Sequence, residues 1–256
     1  MGDSQHSQRV FEFQGVHKSF GPKVVYQSMN LSIDRGETLV IIGGSGSGKS
    51  VCLKLMTGLL HANQGSVQFH GKEVSEMDAA ELKAMRTQVA MVFQGGALFD
   101  SMTVEENVAY ALVEHTTMGD KEIRARVEEC LDMVGLGQSD FPHLRASMPA
   151  ALSGGMRKRV AIARAIALKP QVILYDEPTT GLDPANCNRL ALMIRQLQAT
   201  LRVTSVVVTH DMDTAWHVAD RVAMLHRCHF PFCAPIDEFR KIKDPVLQDF
   251  IEGKAT

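Results

Sequence analysis

Between Val40 and Leu60 the chain reads VIIGGSGSGKSVCLKLMTGLL, a short apolar run, then glycine and serine around one lysine, then an amphipathic run. Glycine loses more backbone entropy on folding than any other residue, so such a cluster marks a place where bare backbone must approach something closely. The spacing fits G-x-x-x-x-G-K-[ST], with Gly43, Gly48, Lys49 and Ser50 at the fixed places and Gly44, Ser45, Gly46 and Ser47 between them. Successive N–H groups there, together with the start of the following helix, make a concave positive site for phosphate oxygens. Lys49 would reach the β- and γ-phosphates of a nucleotide, and Ser50 would give an oxygen ligand to Mg²⁺. The plain alternative, a flexible Gly/Ser turn, does not require a strand before it and a helix after it.

A second constellation answers the first. VILYDEP (Val172 to Pro178) sets an acidic pair at the end of a buried strand. Asp176 is suited to hold Mg²⁺ through water and Glu177 to orient and polarise an attacking water. Alone, the pair would read as an acidic turn. The next strand, SVVVTH, ends in His210, which can donate a hydrogen bond to a γ-phosphate. LSGGMRKRVAIARAIAL (Leu152 to Leu168) places Ser153, Gly154 and Gly155 at a helix start, where an anion is also met favourably. One phosphate loop needs no second phosphate-reading helix, so the economical reading turns this one toward the nucleotide of another subunit. An ordinary serine cap stays open as its alternative.

The runs VFEFQGV, YQSMNLSID, TLVII, GSVQFHGKEV, QVAMVFQ, QVILY, VTSVVVT and RVAML read as strands. Helices are expected from about Gly48 to Leu60, from Thr103 (a cap followed by Glu105 and Glu106) to about Gly135, and from Ser153 to about Leu168. Strands alternating with helices argue for a mainly parallel sheet, and the helical stretch between roughly Gln94 and Leu152 for a separate lobe.

Composition bounds the partners. A formal charge of −2 over 256 residues gives no basic field, so charge does not point to nucleic acid. Five scattered cysteines fit reduced thiols rather than a disulfide framework. The opening MGDSQHSQRVFEF lacks the apolar core of a secretory signal, and His6 breaks the myristoylation pattern. No apolar run reaches the ~20 residues of a membrane helix. The chain is expected in the cytoplasm, reaching a membrane through another protein.

These residues together resemble the ATP-binding cassette (ABC) family of ATPases over nearly the whole chain. GGSGSGKS is similar to its Walker A, VILYDE to its Walker B and LSGGM to its signature. By the same resemblance Gln94 looks like the Q-loop residue beside the metal, Asp183 in TTGLDP the D-loop, His210 the switch histidine, and Phe20 the aromatic stacking on adenine. The implied fold is α/β, a P-loop nucleotide-binding domain with a mainly parallel sheet, an N-terminal antiparallel β subdomain and an inserted helical subdomain. A single domain over 9–253 would comprise a catalytic core (9–94 and 152–225), a helical subdomain (95–151) and a C-terminal hairpin with helices (226–256). The resemblance implies a homodimer that sandwiches two ATP with Mg²⁺, with Ser153, Gly154, Gly155 and Asp183 facing the other copy's nucleotide. It also implies an integral membrane permease, no nucleic acid, and a peripheral position on the cytoplasmic face of the inner membrane.

Two departures stand out. Met156 replaces the usual Gln of the signature; with FQGGALFDSMTVEENVAY and DEFRKIKDPVLQDFIEG it looks like the branch serving bacterial phospholipid transport. That branch works with a permease and a lipid-binding protein of the mammalian-cell-entry type. The second is HRCHFPFC, where His226, Cys228, His229 and Cys233 hint at zinc although a strand pair alternates their sides. Leu98, Phe99 and Met102 are expected either to receive a short permease helix or to pack within the lobe. A transporter for another solute, such as an amino acid, fits the same cassette. The alternative of another class is a soluble cassette ATPase acting on nucleic acid or ribosomes.

Overall fold

The computed structural model describes residues 9–253, so the readings of the first eight residues as neither signal nor lipidation site lie outside the described residues. The strands are β1 (Arg9–Phe20), β2 (Lys23–Asp34), β3 (Thr38–Ile42), β4 (Gln64–Phe69), β5 (Lys72–Glu73), β6 (Val89–Val92), β7 (Val172–Asp176), β8 (Thr204–Thr209), β9 (Arg221–His226) and β10 (His229–Pro235). The helices are α1 (Lys49–Met56), α2 (Ala79–Gln88), α3 (Val104–His115), α4 (Asp120–Met133), α5 (Gly154–Ile166), α6 (Pro184–Leu201), α7 (Met212–Val218), α8 (Ile236–Phe239) and α9 (Pro245–Ile251). The chain forms two compact units, one from the residues up to Arg86 with those from Thr204 onward, the other from Thr87 to Val203.

In the first unit an antiparallel sheet runs in the order β2-β1-β4-β5. Phe11, Phe13 and Val16 are all buried although their spacing changes phase, because the β1–β2 register shifts between Phe13 and Val16. The irregularity returns the next apolar residue to the core face. A second set of strands has β3 between β8 and β9, parallel to both, with β10 antiparallel to β9. Every residue of β3 is buried, as expected of a parallel strand covered on both faces.

The described residues depart from the sequence expectation in four places. Helix α1 stops at Met56 rather than Leu60, because Gly58 turns left-handed (φ 64°) and the N–H groups of Leu59 and Leu60 fold back to the Lys54 carbonyl at 2.9 and 3.1 Å. Helix α2 was not anticipated; Met85 is its one buried residue, so it carries little apolar periodicity. The stretch from Thr103 to Gly135 is two helices, broken at Thr116 to Gly119. The β9–β10 hairpin turns through Arg227 and Cys228, both left-handed (φ 43° and 70°), where a two-residue turn ordinarily asks for Asn-Gly. That turn is held by β2, since the Cys228 carbonyl accepts from Gln27 N–H at 2.9 Å and its thiol lies 3.3 Å from the Val24 carbonyl. Cys233 takes a hydrogen bond from Arg221, and among the described residues no three His, Cys, Asp or Glu are grouped to hold a metal. None of the described helices is long and apolar enough to cross a membrane.

The second unit pairs β6 with β7 in parallel and packs α3, α4 and α5 together. Thr103 caps α3 as expected, in a reciprocal box with Glu106. The buried Arg126 of α4 closes the C-terminal end of α5, donating to the Ile166 and Ala167 carbonyls at 2.6 and 3.0 Å. The fully buried Asn107 braces the loop before α3: it accepts from Phe99 N–H at 2.8 Å and donates to the carbonyls of Phe99, Met102 and Thr103 at 3.0–3.1 Å. Asn107→Ala leaves those buried groups unpaired and should lower stability by about 2 kcal/mol. Urea denaturation measures it, and an unchanged midpoint would show that the loop finds other partners.

Candidate nucleotide site

Strand β3 delivers the chain into the glycine loop, and the loop's shape is set by what lies beneath it. A Cβ on Gly43 would sit 2.6 Å from the Leu225 carbonyl of β9, so no other residue fits without moving main chain. Gly48, the left-handed cap of α1 (φ 113°), would place a Cβ 2.4 Å from Val25. Beside it the buried Tyr26 donates its hydroxyl to the Gly48 carbonyl at 2.6 Å. Burial pushes the Tyr26 phenol well above its usual range, so it stays a donor. Tyr26 is a site residue that sequence reasoning missed; nothing in YQSMNLSID points it at the loop.

Inside the loop, Lys49 is buried and its ammonium donates to the carbonyls of Gly43 and Gly44 at 2.8 and 3.2 Å. The Ser47 hydroxyl is buried and makes no hydrogen bond. Gly44 and Gly46 have open space where a Cβ would stand. A buried cation, an orphaned hydroxyl and a bare main chain at a helix start suit the oxygens of a polyphosphate.

The parallel register brings His210 to this loop. Ile42 pairs with Thr209 across β3 and β8, so Gly43 and His210 leave the same carboxyl edge side by side. Ligands of open α/β sheets gather at that edge. Phe20, 46% exposed, ends β1 next to the turn into β2, the strand that carries Val25 and Tyr26 against Gly48. The Lys18 ammonium stands 4.9 Å over the Phe20 ring, so this π-face already attracts a cation.

The second unit repeats the logic. Val92 pairs with Tyr175, so Gln94 and the Asp176–Glu177 pair leave one carboxyl edge. Glu177 holds a left-handed backbone (φ 47°), an uncommon conformation for a residue with a side chain, and such strain concentrates at functional sites. Its carboxylate accepts from Thr180 at 3.4 Å. The start of α5 lies against the start of α6. Ser153 caps α5 by accepting from Met156 N–H at 3.2 Å, and the nearest neighbours of Cβ atoms on Gly154 and Gly155 would be Leu182 and Asn186, at 3.7 and 3.9 Å. Asp183 caps α6, and its hydrogen bonds from Asn186 hold its carboxyl below the usual range. Ser153, Gly154, Gly155 and Asp183 thus form one surface. Gly43 to Ser50 form another with His210, and Gln94, Asp176 and Glu177 a third.

The fold and these loops define a P-loop nucleotide-binding cassette. The family described as ABC transporter matches residues 26–180. The probable ribonucleotide transport ATP-binding protein mkl of Mycobacterium leprae is 40% identical over 96% of this chain and 69% of its own length. The intermembrane phospholipid transport system ATP-binding protein MlaF of Haemophilus influenzae is 38% identical over 84% of this chain and 79% of its own. ATP-binding proteins named for Fe(3+) and sulfate/thiosulfate import also match. Among solved structures, a dimeric post-hydrolysis state of the ATP-binding cassette MJ0796 bound to ADP and Pi superposes with a TM-score of 0.79 at 32% identity, covering 88% of this chain and 98% of that one. The chain spans 66–69% of the length of the mycobacterial relatives. It belongs to the ABC transporter family, as an ATP-hydrolysing, ATP-binding subunit.

If Tyr26 sets the pose of Gly48, Tyr26→Phe should weaken ATP binding several-fold while lowering stability by only about 1 kcal/mol. Titration with a fluorescent ATP analogue beside a thermal melt tests this; unchanged affinity would leave Tyr26 a packing residue only.

Proposed function

We propose that this chain hydrolyses ATP at two sites shared with a second copy of itself, and that the cycle drives a permease moving phospholipid across a bacterial envelope. The observation that carries the substrate is the likeness to the phospholipid-transport protein MlaF, together with Met156 and the FQGGALFDSMTVEENVAY stretch. Proteins named for other solutes share the cassette at similar identity, because the cassette itself does not touch the solute.

In each shared site, main-chain N–H groups from Gly43 to Ser50 and the Lys49 ammonium hold the phosphates, and Phe20 stacks on adenine. Glu177 accepts the proton of a water that attacks the γ-phosphorus as the bond to the bridging oxygen of ADP breaks. His210 donates a hydrogen bond to the γ-phosphate, and Gln94 senses it. The oxygen donors Ser50, Gln94 and Asp176 suit Mg²⁺, which when bound would offset the phosphate charge. Ser153, Gly154, Gly155 and Asp183 approach the nucleotide of the other copy. In support, no atom among the described residues demands glycine at 154 or 155, and a bare surface of that kind suits an external contact. The dimeric form of MJ0796 with ADP and Pi is a precedent.

Docking falls to the lobe after Gln94. The Phe99 ring is 41% exposed and packs tilted against the exposed Tyr110 with centroids 4.9 Å apart, and Val113, one turn beyond Tyr110 along α3, is 61% exposed. Leu98 and Met102 are half-buried, so Phe99 carries this surface. Such a patch suits a short cytoplasmic helix of a permease, itself joined to a lipid-binding protein of the mammalian-cell-entry type. The chain would then sit on the cytoplasmic face of the inner membrane.

Glu177→Gln should slow phosphate release by about 10²-fold or more while keeping ATP binding, and the protein should accumulate as an ATP-bound dimer on gel filtration. Wild-type turnover would remove Glu177 from the base role. For the substrate, affinity purification from membranes should recover a permease with bound phospholipid, a recovery that Phe99→Asp abolishes without altering ATP binding. A permease carrying another solute would replace the phospholipid reading.

A further inference from the structure

The inner face of α5 is apolar through Val160, Ala161, Ile162, Ala163 and Ile166, yet it also buries the cation Lys158, 7% exposed. Burial lowers its ammonium pKa, and the nearby Glu177 and Asp176 carboxylates oppose that shift. A buried lysine on such a face is costly to keep unless its donors are used. Among the described residues its ammonium donates to two main-chain carbonyls. One is the carbonyl of Gln94, the other that of Glu177 at 3.5 Å. Less than two turns further on, Arg164 donates to the carbonyls of Gly96 and Ala97 at 3.0 and 2.9 Å. Glu177 and Ala97 are both non-glycine residues in left-handed backbone, φ 47° and 48°. The carbonyl of each strained residue therefore faces a cation from one helix, closely at Ala97 and at longer range at Glu177, and strained backbone persists only where its surroundings hold it.

We propose that Lys158 is a positioning residue that locks the Gln94 loop and the Glu177 backbone to the helix begun by Ser153. The inference rests on the cassette reading above and deepens it. Ser153 lies five residues before Lys158, roughly 7.5 Å along a rigid helix. A shift of Ser153 as it meets the other copy's nucleotide is thereby delivered to the water-activating residue of its own chain. Arg164 carries the same shift to the loop whose Phe99 faces the permease; its guanidinium lies 5.6 Å from that ring. Lys158 itself touches no substrate.

The test uses the full chain and steady-state ATP hydrolysis. Lys158→Met fills the same space without donors, and should lower kcat by about 10²-fold with the KM for ATP within about three-fold and the thermal melt little changed. Lys158→Arg, which keeps donors at that reach, should recover much of kcat. A folded Lys158→Met with wild-type kcat overturns the inference, as does a loss of kcat that only tracks a lowered melting temperature. If the Met variant folds poorly, Lys158→Leu, likewise without donors, supplies the same comparison under the same two criteria. Glu177→Gln distinguishes the layers: full activity there removes the catalytic reading itself, whereas an inactive Glu177→Gln beside a fully active Lys158→Met removes only the role of Lys158.

Discussion

Everything in the first unit depends on one steric fact, that main chain between Gly43 and Gly48 lies directly on other parts of the protein. The Leu225 carbonyl closes the space beside Gly43, and Val25 and Tyr26 close it beside Gly48. The loop is therefore rigid where it meets the fold and open where Gly44 and Gly46 face outward. Rigidity is what a phosphate site needs, since donors already aimed at an anion lose little freedom when they bind it. The buried β3, between β8 and β9, supplies the platform.

The second unit solves a different problem, that of holding an acidic residue in an unfavourable backbone conformation. Glu177 cannot rely on a glycine-like freedom, so its place is fixed by neighbours. Thr180 meets its carboxylate and Lys158 its carbonyl. The same helix grips the 94–97 loop through Lys158 and Arg164, and is gripped in turn by Arg126. Hydrogen bonds from charged donors to main-chain carbonyls are stronger than neutral ones and carry direction. Helix α5 thus acts as a strut, with Ser153 at one end and Arg126 closing the other.

Much of this was legible in the residues alone. The glycine loop, the strand before it and the caps at Thr103 and Ser153 follow from local chemistry, and local chemistry is what a sequence carries directly. The missed features are those in which the local signal is weak or misleading. Helix α2 buries little beyond Met85, so no apolar stripe announces it. The Arg227–Cys228 turn contradicts the ordinary turn chemistry and persists because β2 holds its tip. In MRKRV, Lys158 reads as one cation in a solvated charge run, and only packing reveals that it is buried.

By itself, the sequence determined which groups the proposed nucleotide reading draws on: a bare phosphate loop with Lys49, an acidic pair after a buried strand, a histidine after another, and a second glycine-bearing helix start. These are properties of residue type and spacing. Only the tertiary structure decided which of them share an edge, because that depends on strand register, Ile42 against Thr209 and Val92 against Tyr175. It also decided which polar side chains turn inward. Tyr26 under Gly48 and Lys158 under Gln94 and Glu177 are separated from their partners by between 19 and 64 positions in the chain. No local pattern records such a contact, since a hydrogen bond between distant segments exists only once the core has brought them together.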